Sequence, residues 1–281
     1  MTDRTHHPDG SINYEASPYG EQPRLFLAQF AAGIFVLLFL VHLGQAIRFK
    51  TRYMGAAIAG CLMEAIGYTS RCISIGNPFQ IATYASQHGL IVISPVLVAA
   101  TQYVMLEKVI HHSYPEASPV KHTLITKVFV VGDVIAFFVQ IAGSGMLLSD
   151  PKNADLGIKV LMAGLVVQVI SFALYLSIAI VFYLRAVKLV GHASAGLVDD
   201  NAWRTVFAAL MVSGGMVFLR SVFRIVEFSY GFRGFIATNE IYLYVFDFAL
   251  MALALLVFNV YHPGKYLRAR VTSEYRDMSS A

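Results

Sequence analysis

Apolar residues run through this chain in long unbroken stretches, with neither the alternation of a half-buried strand nor the single stripe of a soluble amphipathic helix. Seven stretches, approximately 25–47, 54–75, 84–107, 124–148, 156–184, 204–229 and 240–261, are long enough to cross a bilayer as helix, which takes about 20 residues. Spanning strands need only about 9–11 alternating residues, so length argues against a barrel. Short connections separate the stretches: "RFKTRY", "GNPFQIAT", "HHSYPEASPVKH", "DPKNAD", "VGHASAGLVDDN" and "GFRGFIATN". Proline, glycine and asparagine mark most of these breaks. The pattern predicts an all-α, polytopic seven-transmembrane-helix bundle over residues 24–264. A polar tail over 1–23, read as a disordered solvated arm, precedes it, and a basic tail over 265–281 follows. No internal repeat or two-half symmetry is visible.

Composition supports the membrane reading. The chain is 57% hydrophobic and 14% charged, where soluble proteins are about a quarter charged. Its net charge of +4 is distributed by topology, so no nucleic-acid partner is inferred. With the N-terminus outside, 13 Lys and Arg fall on the cytoplasmic side and 5 on the outer side; the excess of basic residues inside predicts N-out, C-in. The first 23 residues lack the basic, apolar and small-residue order of a secretory signal. Cys61 and Cys72 lie eleven residues apart in one helix, too far to bridge, and read as inert thiols. The His6–His7 pair reads as part of the polar tail.

Once loop charges are subtracted, a set remains that topology does not explain. Glu64 and Arg71 lie in the second stretch, Asp133 and Gln140 in the fourth, Arg220, Arg224 and Glu227 in the sixth, and Glu240 and Asp247 in the seventh. Each outer pair is seven residues apart and so shares a helical face. Charges at mid-membrane cost about 2.5–3.5 kcal/mol each on insertion scales, so they should face the interior, pair, or line a wet cavity. With N-out topology Arg71, His88, Gln140, Arg220, Arg224, Glu227 and Glu240 fall in the outer half, and Glu64, Asp133 and Asp247 nearer the middle. This predicts one polar chamber towards the outer side, with five carboxylates against three arginines. Two readings stay open: an ion-paired lock holding five helices together, or a site for a polar or cationic headgroup whose tail lies among the helices.

Weaker features have plainer readings. His42 and Gln45 suit a helix–helix hydrogen bond. Pro95 should kink its helix and free a carbonyl. Gly143, Ser144 and Gly145 suit close helix packing rather than an oxyanion hole. Tyrosines and phenylalanines near helix ends read as interfacial belts. The chain has no His-Glu-x-x-His, no clustered Cys/His ligands and no phosphate-cradling glycine loop. No catalytic residue, metal or cofactor is therefore expected.

Several segments in order, "EAIGYTSRCISIGNPF", "SPVLVAATQYVML", "FVVGDVIAFFVQIAGSGML" and "LRSVFRIVEFSYGFRG" with "NEIYLYVFDFALMALALLVFNVYHPG", resemble the fungal RTA-like (aminocholesterol-resistance) family of lipid-translocating exporters. The resemblance covers about 25–264. It implies a seven-helix protein of the fungal plasma membrane, or of a vacuolar or other internal membrane. It also implies translocation of amphipathic lipids such as sphingoid long-chain bases, or of sterol-like or porphyrin compounds, with a link to toxicant resistance. The family-like polar positions are Glu64, Tyr68, Arg71, Asp133, Gln140, Arg220, Arg224, Glu227, Glu240, Asp247 and His262. The partners implied are membrane lipids and an amphipathic small molecule. A lipid receptor or sensor, and an intramembrane lipid hydrolase, are the alternative readings.

Overall fold

The computed structural model describes residues 5–6, 9, 11–149, 154–190, 200–231 and 234–266. Parts of the fourth and sixth connections, with Lys152 and Arg233, the stretch 191–199 of the fifth and the tail beyond 266 lie outside the described residues. Every predicted apolar stretch is helical: α1 (Leu25–Phe49), α2 (Gly55–Gly76), α3 (Ile81–His112), α4 (His122–Ser149), α5 (Ala154–Val190) and α6 (Asp200–Ser229). A last span, Glu240–Tyr266, completes the set. No strand occurs among the described residues.

Six of these seven are long and apolar enough to cross a membrane. The other is α2, whose 22 residues include Glu64, Arg71 and glycines at 55, 60, 67 and 76, all of which lower its hydropathy. Consecutive helices pack side by side, the last span returns to α1, and α3 also meets α6. The bundle is thus closed, with α3 and α6 its most enclosed members. Its outer surface is apolar: Phe26 is 71% and Ile47 70% exposed, and α1, α4 and α5 present rows of leucine, isoleucine and valine. Glu64, Arg71, Asp133, Arg220, Arg224 and Asp247 are by contrast buried within it. That arrangement suits hydrocarbon, and the protein is an integral membrane protein.

Small residues set the closest approaches. A Cβ added to Gly143 of α4 would lie 2.5 Å from the Leu161 backbone nitrogen of α5, so the helix backbones meet there, as expected of the Gly-Ser-Gly run. Gly145 differs, because a Cβ there would meet nothing within 4 Å. At the opposite end of the bundle Gln45 Nε2 donates to the Asn259 carbonyl at 2.8 Å, the expected bond between helices. His42 instead uses the Leu38 carbonyl of its own helix, 3.0 Å away.

Two features depart from expectation. Residues 11–23 do not form a free arm: Tyr19 packs with Ala28 and Ile75, and Tyr14 donates to the Ile75 carbonyl at 3.0 Å. The segment caps the end of the bundle where α2 finishes and α3 begins, and this end is called the capped end below. The last span is also not uniform helix. After one turn at Glu240–Tyr242, residues Leu243–Ala249 wind as π-helix before α-helix resumes at Leu250. Single π turns inside helices are rare and often fall at functional sites.

Candidate functional site

The charges of α2, α6 and the last span come together at and below the capped end. Asp247, inside the π-helical turn, bridges two arginines: Oδ2 accepts from Arg224 Nη2 at 2.7 Å, and Oδ1 pairs with Arg220 Nε. Arg224 Nη1 also donates to Glu227 Oε2 at 2.9 Å. Arg71 pairs with Glu240, whose other oxygen accepts from the Arg24 backbone N–H at 2.8 Å. The wide π turns break the seven-residue facing rule. Glu240 and Asp247 accordingly serve different arginines, one on α2 and the others on α6.

The proline in α3 belongs to this arrangement. Pro95 has no N–H, so the carbonyl four residues earlier, on Ile91, lacks its helical partner. Arg220 Nη2 donates to that carbonyl at 3.0 Å. The freed backbone acceptor and the buried cation satisfy one another, which in hydrocarbon matters to both.

Aromatic rings enclose the network. Tyr68 is fully buried and stacks on Phe35 with centroids 5.6 Å apart. The Arg71 guanidinium lies over the Tyr19 ring at 5.2 Å and the Tyr244 ring at 5.9 Å. Tyr19 also accepts from Gln87 Nε2 at 3.1 Å. Burial pushes the Tyr19 phenol above its ordinary pKa, which keeps it protonated.

Two cavities meet here. One, about 50 Å³, lies beneath the N-terminal cap among Tyr19, Glu21, Arg71, Glu227 and Glu240. The other, about 350 Å³, lies between α3, α4, α5 and α6, walled largely by apolar side chains such as Val92, Phe137, Leu161 and Leu165. Both are lined by Tyr84, His88, Arg224 and Phe228, so a charged vestibule adjoins an apolar chamber. His88 stands edge-on to Tyr84 at 4.7 Å. Gln140 lines the larger cavity and donates to Gln168 Oε1 at 2.9 Å. Gln168 and Ser221, which also line it, are not among the sequence candidates. Gln168 is a lone amide in an apolar stretch, and only its position opposite Gln140 distinguishes it.

Asp133 does not join the chamber. It accepts from the Tyr103 hydroxyl at 2.6 Å, beside the packed rings of Phe129, Phe172 and Tyr175. The reason is packing: α4 lies against α3 and α5 rather than α6 or the last span, so its polar face meets a tyrosine instead of an arginine. Without Asp133 the carboxylate excess falls from two to one. That one is Glu64, which is buried but lines neither cavity.

Fold and site together define a polytopic membrane protein with an internal amphipathic cavity. The chain belongs to the RTA1-like family, whose model, described as RTA1 like protein, matches residues 57–270. It is similar to protoporphyrin uptake protein 1 of Saccharomyces cerevisiae, at 36% identity over 204 residues covering 72% of this chain and 65% of that protein. It is similar also to the sphingoid long-chain base transporter RSB1 of Saccharomyces cerevisiae, at 25% over 276 residues, 85% of this chain and 72% of RSB1. A third relative is the probable lipid transporter atnI of Emericella nidulans, at 26% over 262 residues, 86% of this chain and 68% of atnI. The match spans a little under two thirds of protoporphyrin uptake protein 1, protein RTM1 and protein RTA1. No solved structure matches the chain.

Proposed function

We propose that this protein is a transporter of amphipathic lipids or lipid-like compounds, sphingoid long-chain bases foremost, and that it works without catalysis. One observation carries the reading: an apolar cavity of about 350 Å³ adjoins a charged vestibule through Arg224 and His88. An alkyl chain fits the first and an amine headgroup the second, where Glu21, Glu227 and Glu240 outnumber Arg71 and Arg224. The names of RSB1 and atnI support the same substrate class. In this reading α2 is the seventh span, the capped end faces outward by the positive-inside rule, and the plasma membrane is the site of action. The polar chamber is then the substrate site and the ion pairs fix its geometry.

The test fills the cavity without disturbing the fold. Gly145 lines it, and a Cβ there would meet nothing within 4 Å. Gly145→Leu should fold as wild type while movement of a labelled sphingoid base across proteoliposome membranes is lost. Wild-type movement by a folded Gly145→Leu protein refutes the cavity as the substrate site. A lipid sensor is distinguished in the same assay by binding the base without moving it.

A further inference from the structure

The ion-pair network leaves one group over. Among the four carboxylates gathered by α2, α6 and the last span, Glu227, Glu240 and Asp247 pair with the three arginines. Glu64 forms no ion pair among the described residues, and its Oε1 has no hydrogen-bond partner although only 1% of the residue is exposed. The groups facing it are Arg220 and Arg224 from α6, Asp247 from the last span and the Ser94 hydroxyl from α3. Cys61 and Tyr68 adjoin it on α2, and Phe35 of α1, stacked on Tyr68, brings no charge. Both facing arginines are already held by Asp247. A buried carboxylate with no cation of its own carries its charge at high cost, a cost that either a bound proton or a surplus positive charge beside it removes.

We propose that Glu64 is a proton-binding site that exchanges its proton against the positive charge of the transported molecule. This rests on the transport reading above. The exchange runs through Arg224, the residue common to the vestibule, the cavity and the network. In the empty protein Arg224 divides its charge between Glu227 and Asp247. A ligand ammonium entering the vestibule pairs with Glu227 and draws that carboxylate away from the guanidinium. Glu21, the remaining vestibule carboxylate, is exposed to water, so the buried network itself then holds a surplus positive charge. Glu64 restores neutrality by breaking its O–H bond: the electron pair stays on the carboxylate and the proton passes to water. One cation enters and one proton leaves, so the buried charge does not change. Release of the ligand on the other side reverses both steps. Transport would in this way draw its direction from a proton gradient.

The test uses the full-length protein purified in detergent and N,N,N-trimethylsphingosine as probe, because its charge does not titrate. Bound probe and released protons are measured together in weakly buffered solution, and infrared spectra of the probe-free protein report protonated carboxyl groups. Wild type should release about one proton per bound probe, as charge balance requires. Glu64→Gln should release none per bound probe and lack one protonated-carboxyl band. Equal release per bound probe in Glu64→Gln, or an unchanged infrared spectrum, overturns the proposal. Glutamine mimics the protonated acid, so a Glu64→Gln protein that fails to fold overturns it as well. Absence of probe binding to wild type counts against the transport reading instead, and the infrared comparison then decides the proton site alone.

Discussion

Asp247→Asn is the substitution that most directly tests the network. The side chain keeps its size and loses the charge that holds Arg220 and Arg224 together, both only 3% exposed. Removing one partner of a buried ion pair costs about 3–5 kcal/mol. Here the lower end applies, because Arg224 keeps Glu227 and Arg220 keeps the Ile91 carbonyl. A loss of about 3 kcal/mol is expected, readable as a fall in Tm of about 2–4 °C per kcal/mol in a common detergent. A second substitution sharpens the test. In Asp247→Asn three arginines face only Glu227 and Glu240, and Glu64 should ionise to fill the deficit. Glu64→Gln, close to neutral in wild type, then becomes destabilising. The double-mutant cycle should show a coupling of about 1–3 kcal/mol when SDS unfolding of the four purified proteins is compared. Wild-type stability of Asp247→Asn, or additivity within about 0.5 kcal/mol, refutes the charge assignment.

Other consequences can be checked with the same material. Alanine is favoured over proline in a helix interior by about 3 kcal/mol, yet Pro95→Ala should be no more stable than wild type, since the restored N–H competes with Arg220 for the Ile91 carbonyl. A clear rise in Tm would contradict that role. Gly143→Val should lose about 1–3 kcal/mol or fail to fold as its side chain meets the α5 backbone, while Gly145→Val, two residues on, stays close to wild type by thermal melt. A maleimide should label half-buried Cys72 and spare buried Cys61 in the folded protein. Tyr19→Ala, which loosens the N-terminal cap packed near Cys72, should speed that labelling severalfold; an unchanged rate would mean that the cap does not shield it.

The sequence by itself determined the class of the protein, the positions of its helices apart from extra turns at their ends, and which charges sit within them. These properties are one-dimensional: hydropathy needs only a run of residues, and an arginine inside a 26-residue apolar run is anomalous wherever the helix packs. Pro95 was legible for the same reason, because a missing N–H frees the carbonyl four residues back in any helix. Which acid meets which base was decided by tertiary structure. Residues seven apart share a face, but nothing local says which neighbour that face meets. Asp133 and Gln140 obey the spacing and find Tyr103 and Gln168, since α4 packs on α3 and α5. Glu240 and Asp247 obey it and are parted by a π-helical turn. The N-terminal cap was missed because a polar segment looks solvated until a buried arginine offers Tyr19 a place to lie. Glu64 stood in the sequence as one carboxylate among five. Only the pairing of Glu227, Glu240 and Asp247 with the three arginines shows that it is left without an ion pair, because charge compensation in a membrane interior is a property of the whole assembled cluster.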